Sequence, residues 1–85
     1  MNDRLRLAEA VERDWQSLGR EERAMVRKAF AAIDEDPIIG APLFDPFHGY
    51  WSYRTGWLRI IYKIFPEARF VAILSITRAA ESVTQ

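Results

Sequence analysis

From Tyr50 to Ile76 the chain is dominated by aromatic and β-branched residues, broken only at Thr55-Gly56 and at Pro66-Glu67-Ala68. Runs of this kind bounded by turn-forming residues predict strands. Three are expected, Tyr50 to Arg54, Trp57 to Phe65 and Arg69 to Ile76, joined as an antiparallel meander with a two-residue hairpin at Thr55-Gly56. An apolar sheet must bury at least one face, so the rest of the chain has to supply the cover.

The N-terminal half supplies it in helical form. Leu5 and Leu7 alternate with Arg4 and Arg6, which suits a short strand. Val11, Trp15 and Leu18 then recur at helical spacing from about Ala8, and Gly19 is a stop. Val26, Ala29, Phe30 and Ile33 repeat the stripe, with Arg20, Glu21, Glu22, Arg23, Arg27 and Lys28 on the outside. Asp36-Pro37 ends this second helix, because proline lacks the backbone donor and biases its predecessor away from helix. The following PIIGAPLFDPFHG is a connecting loop with one short extended piece near Leu43. The order is β-α-α-β-β-β, an α+β fold with an antiparallel sheet and a helical hairpin packed on one face.

At 85 residues, 49% hydrophobic and 28% charged, the chain reads as a single domain over 1–85 without repeats. Cysteine is absent, which excludes disulfides and thiolate metal sites and suits a reducing cytosol. The first residues, MNDRLRLAEAVERDW, carry charges throughout and no apolar run, unlike a secretory signal, and no stretch is apolar enough to span a membrane. A soluble, cytoplasmic protein without membrane association is expected. Twelve basic and twelve acidic residues cancel, so any pull on nucleic acid has to come from a local patch.

Such a patch is suggested by the hairpin. Pairing across Thr55-Gly56 sets Arg54 against Trp57, Tyr53 against Leu58, Ser52 against Arg59 and Trp51 against Ile60. Trp51, Tyr53, Leu58, Ile60, Tyr62 and Ile64 then share a face suited to packing on helices. Tyr50, Ser52, Arg54, Trp57, Arg59, Ile61 and Lys63 share the other, where cations are interleaved with aromatic and hydroxyl groups. Arg78 is placed to approach that face from one end. Guanidinium groups make forked hydrogen bonds to phosphate, and rings offer stacking surfaces for bases. The same face could receive acidic side chains of a protein partner, or be an ordinary solvated face with arginine stems laid over apolar neighbours.

The single histidine, His48, falls in the Pro/Gly-rich loop with no second residue at metal-ligand spacing, and reads as a loop residue. Asp34, Glu35 and Asp36 form a solvated acidic run at a helix end, and Trp15 reads as core. No glycine-rich phosphate loop, nucleophile elbow or metal motif is present in the sequence.

The segments AVERDWQSL, EDP, GAPL, GYWSYRTGWLRIIYKI and FVAILSITR, taken in order, resemble the RelE/ParE superfamily of bacterial type II toxins. The aromatic-Arg-x-Gly-x-x-Arg-Ile-Ile-Tyr block is the most specific part. The resemblance implies a toxin held by a cognate antitoxin encoded nearby. In RelE-like members it implies metal-independent cleavage of ribosome-bound mRNA, with basic sheet residues holding the phosphate while the ribose 2′-hydroxyl attacks; no cofactor is involved. Carried over by position, Arg59, Arg54 and Arg78 are the expected catalytic residues, with Tyr50, Ser52, Trp57 and Lys63 contacting substrate or partner. Strand positions that hold lysine in ribonuclease members are Tyr50 and Ser52 here, and the His-Arg pair after the last strand is Thr77-Arg78. ParE-like members are instead associated with inhibition of DNA gyrase, and a third possibility is a non-toxic binding relative of the same fold.

Overall fold

A computed structural model describes residues 4–78; the expected single unit over 1–85 therefore includes ends that lie outside the described residues. The elements are β1 (Leu5–Leu7), α1 (Glu9–Gln16), α2 (Arg20–Glu35), a 3-10 turn (Pro37–Ile39), β2 (Ala41–Pro42), β3 (Tyr50–Thr55), β4 (Leu58–Phe65) and β5 (Phe70–Arg78). The five strands form one sheet in the order β1-β5-β4-β3-β2. As the sequence suggests, β3, β4 and β5 make an antiparallel meander, and the extended piece in the loop is β2, antiparallel to β3. One expectation is corrected. The sheet is not wholly antiparallel, because β1 joins β5 in parallel, with Leu5 opposite Val71 and Leu7 opposite Ile73. Between β1 and β5 the chain runs through both helices and β2 to β4, a separation long enough for a parallel pairing.

The helices form where the apolar stripe allows. Val11 and Leu18, then Val26, Ala29 and Ile33, face inward and meet Leu58, Ile60, Tyr62, Val71, Ile73 and Ile76 from the sheet, all of them buried. Gly19 opens α2, where its backbone N–H donates to Glu22 Oε1 at 3.1 Å, satisfying a donor that the helix itself leaves free. Asp14 on α1 reaches the sheet edge, where its Oδ2 accepts the Ile76 N–H at 2.9 Å. Among the described residues only one face of the sheet is covered: no residue on the other face of β3, β4 or β5 is buried. Among the described residues no helix is long and apolar enough to cross a membrane.

Two features of the sheet decide where its side chains point. The hairpin turn is Gly56-Trp57, not Thr55-Gly56, so Thr55 lies opposite Leu58, Arg54 opposite Arg59, Ser52 opposite Ile61 and Tyr50 opposite Lys63. Gly56 has φ 58° while Trp57 keeps a negative φ, as in a type II′ turn, which wants glycine at its first central position. Moving the turn by one residue moves every pair by two, and a shift of two leaves each side chain on its expected face. The second feature is a bulge in β5. Ile61 pairs with Ser75 and Tyr62 with Ile73, leaving Leu74 unpaired. The inward set therefore changes from Val71 and Ile73 to Ile76 and Arg78.

Candidate functional site

The uncovered face carries Tyr50, Ser52 and Arg54 from β3, Arg59, Ile61, Lys63 and Phe65 from β4, and Phe70, Ala72, Ser75 and Thr77 from β5. Arg6 of β1, opposite Ala72, adds a further cation. The five strands together contain five basic residues and no carboxylate, and all of the basic ones except Arg78 face this side. The zero net charge of the chain conceals this segregation. Seven of the twelve acidic residues lie on α1 and α2.

Arg54 and Arg59 form the centre of the site. They are directly opposed across β3 and β4, and Arg59 has Thr77 on its other side. Like charges placed directly opposite in a sheet repel. Neither guanidinium makes a hydrogen bond or ion pair to another described residue. Two adjacent, always-protonated forks on an uncovered surface can bracket one anionic group, each contributing hydrogen bonds as well as charge. Toward the other end of the face, the Lys63 ammonium sits 5.1 Å from the Tyr50 ring centre and 5.0 Å from that of Phe65.

Arg78 and Trp57 are placed differently from the sequence expectation. The bulge turns Arg78 to the helix side, where its Nη2 donates to Glu22 Oε1 at 2.9 Å. Trp57 lies in the turn, and its indole Nε1 donates to Glu22 Oε2 at 2.6 Å. Glu22 thus ties the start of α2, the tip of the β3–β4 hairpin and the end of β5 into one node, its side chain 12% exposed against 44% for Arg78. The Trp57 indole, the Gly19 amide and the Arg78 guanidinium together hold the Glu22 carboxyl below its ordinary range, against the opposing effect of partial burial. Glu22 was not among the residues singled out from the sequence; its one signal is its place three residues after Gly19, where a glutamate reaches back to a helix start.

Tyr62, buried on the helix side, fixes the loop before β2. Its hydroxyl donates to Pro37 O at 2.7 Å and accepts the Gly40 N–H at 3.2 Å. Gly40 is the only residue type that fits there, since a Cβ would stand 2.5 Å from Ser52 O and 2.7 Å from the Tyr62 hydroxyl. His48 is exposed in the loop between β2 and β3. Among the described residues no group of histidine, cysteine or carboxylate side chains could hold a metal ion.

No protein-family model and no curated protein sequence matches the chain. Solved structures do. A chain of the RelBE2 toxin–antitoxin complex from Mycobacterium tuberculosis is 30% identical over 87% of this chain and 94% of its own length, with a TM-score of 0.79. The chain belongs to the RelE/ParE toxin superfamily. The same fold recurs at lower identity in the isolated RelE toxin of E. coli, at 21% identity, a TM-score of 0.76 and 93% coverage of both chains. It recurs again in a YoeB/ParE toxin from Agrobacterium tumefaciens, at 19% identity, a TM-score of 0.74 and coverage of 88% of this chain and 96% of that one. This RelE/ParE chain therefore shares with them a sheet covered by two helices.

Proposed function

We propose that the chain is the toxin of a type II toxin–antitoxin pair and arrests growth as a metal-independent endoribonuclease acting on ribosome-bound mRNA. The observation that carries this reading is the Arg54–Arg59 pair, two cations opposed on an uncovered face with no counter-ion among the described residues. Attack of a ribose 2′-hydroxyl on the adjacent phosphorus forms the 2′ O–P bond and breaks the P–O5′ bond. The dianionic pentacovalent phosphorus between those events is the species that two guanidinium forks stabilise. The attacking hydroxyl loses a proton and the departing 5′ oxygen gains one. Among the described residues no imidazole or carboxylate stands on the uncovered face, which leaves these transfers to the Lys63 amine, the Tyr50 hydroxyl, water or groups of the ribosome. A cognate antitoxin is the expected partner, since chains similar to this one occur in solved toxin–antitoxin complexes from M. tuberculosis, E. coli and Pyrococcus horikoshii.

Inducing the chain in cells should stop growth, and co-expressing the neighbouring reading frame should restore it. Mapping mRNA 5′ ends on translating ribosomes should show new ends with the wild type, reduced about 100-fold or more in Arg59→Ala, the usual effect of removing one transition-state donor. The second reading, inhibition of DNA gyrase, is favoured by the lack of an imidazole or carboxylate among the described residues of the face. Unchanged mRNA ends with lost supercoiling would select it, and unaffected growth would remove both.

A further inference from the structure

Beyond the arginine pair, the uncovered face carries a continuous chain of rings and cations. Lys63 lies between the rings of Tyr50 and Phe65. Phe65 is stacked on its cross-strand partner Phe70, with ring centres 4.7 Å apart and planes 28° apart, and the Arg6 guanidinium lies 5.5 Å over Phe70. This band crosses β3, β4, β5 and β1 at the end of the sheet away from Arg54 and Arg59. Lys63 is four residues along β4 from Arg59, about 13 Å at the usual rise of an extended strand. Ser52, Ile61 and Ser75 fill the interval.

A solvated sheet face normally places polar side chains outward, so a stacked phenylalanine pair there requires a reason. Its rings are partly exposed, and the Lys63 ammonium beside them makes no ion pair with another described residue. Half-exposed rings alternating with cations on a sheet surface match single-stranded nucleic acid, whose bases stack on rings while its phosphates meet the charges. An acidic protein segment would use the cations but has no need of flat rings in register with them. We propose that the Tyr50–Lys63–Phe65–Phe70 band is a base-stacking subsite for single-stranded RNA, lying beside the arginine pair and engaging nucleotides away from the phosphate held there. This assignment rests on the RNA-directed reading above and adds to it a requirement for bases at a distance from the cut.

The test uses the purified full chain and two labelled probes of equal length, oligoadenylate and an abasic ribose-phosphate oligomer, in anisotropy titrations. The wild type should bind oligoadenylate about tenfold more tightly than the abasic oligomer, as stacking of one or two bases provides. Tyr50→Leu with Phe65→Leu should abolish that preference, bringing oligoadenylate affinity down to that of the abasic oligomer. Phe65→Trp should keep it, and Arg54→Ala with Arg59→Ala should weaken both probes alike. If the double leucine variant fails to fold by circular dichroism, Tyr50→Leu alone should halve the preference or more. Equal affinity of the wild type for the two probes overturns the subsite. So does a leucine variant that retains the preference, or one that weakens only the antitoxin complex. A wild type that shows the preference yet cuts no mRNA keeps the subsite and removes the cleavage reading; one that cuts mRNA without the preference does the reverse.

Discussion

Glu22 shows how one side chain can settle the placement of several others. Its carboxylate takes the indole of Trp57, the guanidinium of Arg78 and the amide of Gly19, three donors from three parts of the fold. Because these donors hold the folded carboxyl below the ordinary value of 4.5, Glu22 contributes stability that is present above that value and lost as the pH falls through the lower folded one. Melting curves of the wild type and Glu22→Gln should therefore differ most near neutral pH, with the wild type the more stable, and draw together as acidification protonates the folded carboxyl. A difference that does not narrow on acidification would show that the carboxylate's charge is not what matters. Arg54 and Arg59 behave in the opposite sense. Their mutual repulsion makes each a cost in the unliganded protein, so Arg59→Thr should leave the melting temperature unchanged or raise it, by about 0.2–1 kcal/mol of stability, while removing toxicity.

At the scale of elements, the junction of α1 with β5 does more than bury apolar surface. β1 covers β5 only from Val71 to Ile73, and beyond it the exposed strand edge would present unpaired backbone donors. Asp14 closes that gap by accepting the Ile76 N–H, in the way that a neighbouring strand would. Asp14→Ala should cost about 1–3 kcal/mol by leaving a half-buried donor unmet, and Asp14→Asn, which keeps an acceptor oxygen, should cost less. Chemical denaturation gives the energies, and hydrogen exchange at Ile76 should quicken in the alanine variant alone. The β5 bulge acts on the same strand. One extra residue, Leu74, sends Arg78 to the helix side and keeps Ile76 in the core.

Across the whole molecule the decisive property is how charge is distributed, not how much there is. Acidic groups gather on the helices and the strands carry only basic ones, so a chain of zero net charge presents a cationic sheet to one side. Association with single-stranded RNA should therefore weaken with salt. A plot of log affinity against log salt should slope at about −2 to −3, as engagement of three or four of the face's cations requires at about −0.7 per phosphate. Substituting Lys63 by Met should make the slope shallower by about that increment. A slope near zero would mean that the face is not the binding surface.

Much of this protein is legible from its residues in order. Helical periodicity in Val11, Trp15 and Leu18 and again in Val26, Ala29 and Ile33, followed by alternation after Tyr50, determines a two-helix cover on a meander, because burial rewards only the spacing that matches each element's period. The side of the sheet on which Arg54, Arg59, Tyr50, Ser52 and Lys63 lie is equally determined, and it survives a misplaced turn because a two-residue shift in pairing preserves alternation. What local pattern could not decide is everything that depends on pairing between distant segments. The parallel seat of β1, the opposition of Arg54 to Arg59, the meeting of Phe65 with Phe70 and the carboxylate that takes Trp57 and Arg78 all arise from register. The side to which Arg78 points turns on a single unpaired residue, and a bulge leaves no mark in an alternating sequence until a second strand is laid beside it.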